Sequence, residues 1–165
     1  MRVVKGARIV GRFVVERSLG SGGASDVFLV RDLADNNALK TLKGVSAPHD
    51  PADAERLKRE FSLLSQIRHP HIAAVEDFFC DPPSGRNFFT SEFVRGLSFD
   101  DPRLELTDDR FLDCLLQIGR ALHYLHGNAI YHKDIKPANI LIAKENGVLL
   151  AKLVDFDLAA SDLPC

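Results

Sequence analysis

The chain has 165 residues, 45% of them apolar and 27% charged, enough to bury a core as one domain or as two small lobes. A formal net charge of −2 and a pI near 6.3 leave no basic surplus to compensate nucleic-acid phosphates or an anionic membrane, so neither is an expected partner. Cys80, Cys114 and Cys165 are too widely spaced to form a metal-ligand pattern, and Lys5, Arg8 and Arg12 interrupt the first apolar residues; together these predict free thiols in a soluble cytoplasmic protein.

Between Gly11 and Lys43, the runs Phe13-Val14-Val15, Val27 to Val30 and Ala38 to Leu42 alternate with Gly-Ser or Asp-Asn turn chemistry, which predicts three antiparallel strands. Asp50-Pro51 supplies a helix start. Leu57, Phe61, Leu64 and Ile67 then recur at helical spacing until His69-Pro70. Two further apolar stretches, Ile72 to Phe79 and Asn87 to Val94, flank Asp81-Pro82-Pro83-Ser84-Gly85 and read as a hairpin with a long loop. Phe99 to Leu106, with Pro102, is a weak helix or a linker. Thr107-Asp108-Asp109 caps a helix carrying Phe111, Leu115, Ile118, Leu122 and Leu125 on one face. A polar loop from Asn128 to Pro137 leads to a strand at Asn139 to Ile142, a turn at Asn146-Gly147, and a last strand at Leu149 to Val154.

Three stretches carry chemistry. Gly20-Ser21-Gly22-Gly23-Ala24-Ser25-Asp26-Val27 lies between two strands, where glycines let backbone N–H groups approach phosphate oxygens; a mobile hairpin turn is the alternative. Lys40 sits on the next strand, and Glu60 on the following helix has the charge to hold it toward phosphates, although each residue alone reads as a solvated surface group. His132-Lys133-Asp134-Ile135-Lys136-Pro137-Ala138-Asn139 gathers a carboxylate, an ammonium and an amide in one loop. Phosphoryl transfer needs a base near the attacking hydroxyl, a cation for charge on the moving group, and oxygen ligands for Mg²⁺. Asp155-Phe156-Asp157 adds a carboxylate at a strand end.

In this order the motifs resemble those of the eukaryotic-type Ser/Thr protein kinases, over nearly the whole chain from Gly20 to Asp157. The resemblance implies an α+β fold: residues 1–94 as a five-stranded antiparallel lobe with one helix, and residues 95–165 as an incomplete, mainly helical lobe. It implies ATP and Mg²⁺ as cofactors and a protein hydroxyl as acceptor. Gly20, Ser21, Gly22 and Gly23 would approach the phosphates, Lys40 would contact them while paired with Glu60, and Asp134 would orient the acceptor. Lys136 would reach the γ-phosphate, which favours the Ser/Thr branch, and Asn139 and Asp155 would hold the metal. Adenine would lie between Val27 and Ala38 on one side and Leu141 on the other, bonded to the main chain at Glu92 and Val94, with Ser91 guarding the pocket behind.

Four departures qualify the match. Ser25 replaces a glycine of the phosphate loop, a mild change. Lys133 stands where arginine is usual and loses the planar grip on a phosphorylated loop. Asp157 replaces the glycine of Asp-Phe-Gly, where a left-handed conformation would cost about 1–2 kcal/mol. The chain ends at Cys165, before the segment that would hold a protein substrate, so a fragment of a longer parent is expected. A nucleotide-binding pseudokinase or scaffold, or a small-molecule phosphotransferase of related fold, is the alternative.

Overall fold

Apolar, β-branched and aromatic runs build the first half of the chain into a six-stranded antiparallel sheet, and the computed structural model describes residues 4–21, 25–45 and 51–161. By internal contacts the chain divides into two units, Met1–Gln66 with Ala74–Phe93 (unit 1) and Ile67–Ala73 with Val94–Cys165 (unit 2).

Unit 1 contains β1 (Arg8–Ile9), β2 (Phe13–Ser21), β3 (Ser25–Asp32), β4 (Ala38–Val45), helix α1 (Pro51–Ser65), β5 (Val75–Asp81) and β6 (Arg86–Glu92). The sheet order is β1-β2-β3-β4-β6-β5. Five of these strands are the expected ones, and the two-residue β1 extends the edge. One sheet face buries Phe13, Val15, Phe28, Val30, Leu42 and Phe88 with Ile9. Phe13 and Phe88 both stack on Phe79, at 5.1 and 5.9 Å. The opposite face receives α1, whose Phe61 meets Phe78 at 5.3 Å and Phe89 at 6.0 Å. Asp50, the expected cap of α1, lies outside the described residues.

The β3–β4 turn fixes the register of the sheet. Asp32 Oδ1 accepts the Ala34 N–H at 3.0 Å, Ala38 N–H donates to the Asp35 carbonyl at 2.7 Å, and Asn36 and Asn37 take φ of 45° and 60°. Asn tolerates that left-handed region, so five residues close the hairpin with Asp32 opposite Ala38.

Unit 2 is built on α2 (Asp108–Gly127), which follows β7 (Gly96–Ser98). After α2 come β8 (Ile130–Tyr131), β9 (Ile140–Glu145), β10 (Val148–Leu153) and β11 (Ala160–Ser161). The β9–β10 hairpin turns at Asn146-Gly147, both left-handed at φ 49° and 84°, as its sequence predicts. Residues 99–106 form no helix; they turn after β7, which pairs with β9. Gly96 permits that pairing, because a Cβ there would lie 2.5 Å from the Ile142 carbonyl oxygen.

Helix α2 begins after Thr107, whose side chain makes no capping bond. Its buried face is Cys114, Gln117, Ile118, Ala121 and Leu125. Phe111 and Leu115 were expected on that face and are instead exposed, together with Leu112 and Leu116. The helix is apolar around more than one stripe, so sequence periodicity alone does not select the covered one. Gln117 Nε2 donates to the Leu149 carbonyl at 3.0 Å, and Gln117 Oε1 accepts the Ala151 N–H at 2.8 Å.

Residues 67–73 belong to unit 2 because they run along β10. Ile72 bridges Leu153, Leu153 N–H donates to the His71 carbonyl at 2.9 Å, and Ala73 N–H donates to the Leu153 carbonyl at 3.0 Å.

Candidate functional site

In unit 2 the loop from His132 to Asn139 is held from beneath by His132, 2% exposed, whose ring packs on Phe156 at 4.4 Å. Asp134 N–H donates to His132 Nδ1 at 3.3 Å, so Nδ1 carries no proton, and Nε2–H donates to the Val154 carbonyl at 3.3 Å. Burial lowers the imidazole pKa, against the opposing pull of Val154, Asp155 and Asp134, and keeps that neutral tautomer in place. His132 thus ties the loop to the strand end that precedes Asp155.

Above it, Lys136 Nζ lies 2.6 Å from Asp134 Oδ2. The short helical turn Pro137–Asn139 brings the Asn139 amide onto the same oxygen at 3.0 Å and onto the Asp134 carbonyl at 2.9 Å. The Lys136 contact holds the Asp134 carboxyl below its ordinary range, and Asp134 in turn raises Lys136. Asn139 is 5% exposed; its nitrogen is committed to Asp134, so its oxygen is the atom it offers to a cation.

Asp155 is exposed and left-handed at φ 61°. The left-handed aspartate is therefore Asp155, whereas Asp157 adopts negative φ and carries no such strain. One carboxylate oxygen of each lies within 4.8 Å of the other. Hard oxygen donors from Asn139 and Asp155 suit Mg²⁺, so the residues present fit that ion. Leu141 sits half-buried on β9, opposite Lys152 and Ser98.

Unit 1 departs from expectation at its lysine. Residues directly opposite across a sheet share a face, and Lys43 lies in the row Gly20, Val27, Lys43, Phe89. Helix α1 covers that face, and Lys43 Nζ meets Glu60 Oε1 at 2.8 Å with both side chains buried, at 7% and 3% exposure. Lys40 is three residues away and so points to the other face, in the row Val15, Val30, Lys40, Glu92. Its ammonium contacts Asp32 at 3.3 Å, Asp35 at 3.0 Å and Glu76 at 2.5 Å. Burial lowers the Lys40 pKa, but Glu76, Asp35 and Asp32 outweigh it and raise it well above the ordinary value. The expected Lys40–Glu60 pair is thus a Lys43–Glu60 pair.

The same parity separates Ala38 from Val27, expected to share one side of an adenine: Ala38 falls on the Lys40 face, and Thr41, opposite Leu29 and Ser91, on the Val27 face. The Thr41 hydroxyl donates to the Glu92 carbonyl at 3.4 Å, and Glu92 N–H donates to the Ala74 carbonyl at 2.8 Å. Val94 is buried, with its carbonyl accepting the Gly96 N–H at 3.0 Å. Gly20 ends β2 opposite Val27; Gly22 and Gly23 lie outside the described residues, as does the Ser21 side chain. Sequence reading missed Lys43 and Thr41, and the signal for both was the odd spacing from Lys40 and Ala38.

Comparison with known proteins shows the family. A family model described as the protein kinase domain matches residues 13–162. The DNA damage-responsive serine/threonine-protein kinase RqkA of Deinococcus radiodurans is 32% identical over 97% of this chain and 24% of its own length. Serine/threonine-protein kinase PknB of Mycobacterium tuberculosis is 34% identical over 90% of this chain and 24% of its own length. For serine/threonine-protein kinase pkn2 of Myxococcus xanthus the figures are 36%, 90% and 18%. The chain therefore spans about a quarter of these relatives' length or less.

Proposed function

Because the chain belongs to the protein kinase domain family, we propose that it carries the machinery by which a Ser/Thr protein kinase moves the γ-phosphoryl group of ATP to a protein hydroxyl. The observation that carries this reading is the Asp134 carboxylate gripped by the Lys136 ammonium at 2.6 Å and the Asn139 amide at 3.0 Å.

Asp134 accepts a hydrogen bond from the acceptor hydroxyl and orients its lone pair toward phosphorus. Its lowered pKa makes it a weak base at the outset, so it takes the proton only as the new O–P bond forms and the bond to the ADP oxygen breaks. Lys136, half-exposed beside it, lends positive charge to the oxygens of the moving group. The Asn139 oxygen and Asp155 would hold Mg²⁺, which when bound neutralises charge on the phosphates. Neutral His132 fixes the backbone of Asp134 without adding a second charge to the loop. Glycines before β3 suit the approach of backbone N–H groups to phosphate, and the main chain at Glu92 and Val94 offers bonds to adenine. A cytoplasmic setting accords with this chemistry, and among the described residues no helix is long and apolar enough to cross a membrane.

The test uses a fluorescent ATP analogue with Mg²⁺ and, in the longer parent, transfer of labelled phosphate to a generic acceptor protein. Asp155→Ala should weaken Mg²⁺-dependent nucleotide binding at least tenfold, and Asp134→Asn should abolish transfer while leaving binding intact. Transfer that survives Asp134→Asn would overturn the assignment.

A further inference from the structure

We propose that a groove in unit 2, between α2 and residues 67–73, binds an aryl phosphate, with Arg120 as the cation that anchors the phosphoryl group. The groove is separate from the transfer chemistry, since Asp134, Lys136, Asn139 and Asp155 do not line it.

Helical periodicity creates the groove. Leu116, Arg120, His123 and Gly127 recur at intervals of three or four residues and so form one stripe along α2, distinct from the buried stripe of Cys114, Gln117 and Ala121. His69, from the segment that runs along β10, forms the facing wall, and its ring stacks on Tyr124 at 5.2 Å with the planes 30° apart. The enclosed volume is about 680 Å³, room for an aromatic ring and a phosphate. Gly119 lines the same space, and a Cβ there would meet nothing within 4 Å. Packing within the chain therefore gives no reason for a glycine in mid-helix, where alanine is more stable, whereas a molecule lying along the helix does.

Charge makes it a site for an anion. Arg120 is exposed, and among the described residues no carboxylate pairs with it. Asp113, two turns earlier on α2, is taken instead by the Gln117 amide at 3.0 Å. Burial lowers the pKa of His71, and Arg120 and Lys152 push it the same way against Asp113, so the field along this wall is positive. His69 Nδ1 accepts the His71 N–H at 3.2 Å, which places the proton of the neutral ring on Nε2 and makes His69 a further donor.

The lining also selects which anion. A guanidinium meets a phosphoryl group through two parallel N–H bonds, and a dianion has acceptors left over for the imidazoles beside it, where a carboxylate has fewer. Leu116 and the Tyr124–His69 stack supply the apolar, planar surface that an aryl body covers. Arg120 lies about two turns before the end of α2 at Gly127, out of reach of the negative end of the helix dipole.

The experiment is a titration of the full chain with phenyl phosphate, followed through the imidazole NMR signals of His69 and His123. Both should shift with one saturating midpoint, while the signal of His132, beneath the transfer loop, stays in place. Arg120→Gln should raise the midpoint about tenfold or more, the loss expected for a charge-assisted pair. Gly119→Leu fills the groove with a residue that favours helix, so it should abolish binding without lowering the melting temperature. Unchanged binding of the fluorescent ATP analogue is the check that both variants fold. Inorganic phosphate and benzoate each carry half of the ligand and should bind about tenfold more weakly than the ester. A phosphotyrosine peptide that binds more tightly than phenyl phosphate would identify a protein side chain as the source of the ring, and a weaker one would identify a free ester. No shift of His69 or His123 at millimolar ester, a midpoint unmoved by Arg120→Gln, or benzoate bound as tightly as phenyl phosphate would overturn the proposal.

Discussion

Acidification from pH 7.5 to 5 should destabilise unit 2 through its buried histidines. His71 and His132 are 9% and 2% exposed, and burial lowers both pKa values below the ordinary 6.5. Each holds its proton less tightly in the folded chain than in the unfolded one, so below about pH 6.5 unfolding takes up protons. The unfolded chain then binds more protons than the folded one, so stability falls as pH falls through that window. The slope is at most about 1.4 kcal/mol per pH unit for each histidine, hence about 2.7 kcal/mol for two, against a typical total of roughly 5–15 kcal/mol. Half-buried His69 is shifted in the same direction and adds to it. Carboxylates such as Asp32 and Asp134, whose pKa values are lowered, lose their contribution only as the pH drops below about 4, so the range from 6.5 to 4.5 isolates the imidazoles. The assay has a built-in reporter. The chain has no tryptophan and two tyrosines, Tyr124 and Tyr131, both in unit 2. Urea unfolding followed by tyrosine fluorescence should show midpoints falling steadily between pH 6.5 and 5, and His132→Phe should shallow that trend. A midpoint that stays constant from pH 7 to 5 would refute the reasoning.

Gly96→Ala drives a Cβ to 2.5 Å from the Ile142 carbonyl oxygen, which neither strand can accommodate without separating; a loss of about 1–3 kcal/mol is expected, read from the same urea midpoints. Asp157→Gly relieves no backbone strain, since Asp157 has negative φ, but removes a carboxylate within 4.8 Å of Asp155. That repulsion is worth about 1–3 kcal/mol at effective dielectrics between water and protein surface, and bound Mg²⁺ would turn it into attraction. The glycine variant should therefore need more Mg²⁺ for half-maximal nucleotide binding, and an unchanged midpoint in a Mg²⁺ titration would show that Asp157 does not face the metal.

What the sequence made legible is what local chemistry determines. The Asn146-Gly147 turn, the strands of the sheet and the gathering of Asp134, Lys136 and Asn139 depend on residues within a few positions of one another, and short-range propensity and motif spacing reach them. What escaped was decided at longer range. The covered stripe of α2 depends on β10, which supplies Leu149 and Ala151 to Gln117, a polar residue that hydrophobic periodicity assigns to solvent. The small β7 strand was hidden because its pairing with β9 spans more than forty residues. Its signal was Gly96, a glycine without an obvious turn to serve.

The lysine shows most clearly how a motif and a fold can part company. The string Ala38-Leu39-Lys40 follows a glycine-rich turn and precedes a helix with Glu60, so string order alone selects Lys40. A strand, however, is read by parity as well as order: the face that meets α1 is set by counting back from the turn that closes the hairpin. Two left-handed asparagines make the β3–β4 turn tight, and Lys43 is the lysine that this count delivers to Glu60. The residue displaced from that role is not idle, since Lys40 joins Asp32, Asp35 and Glu76 on the opposite face and helps hold the register. The acidic turn residues are thus the cause of the exchange: in setting the register they capture one lysine and bring the other to the helix.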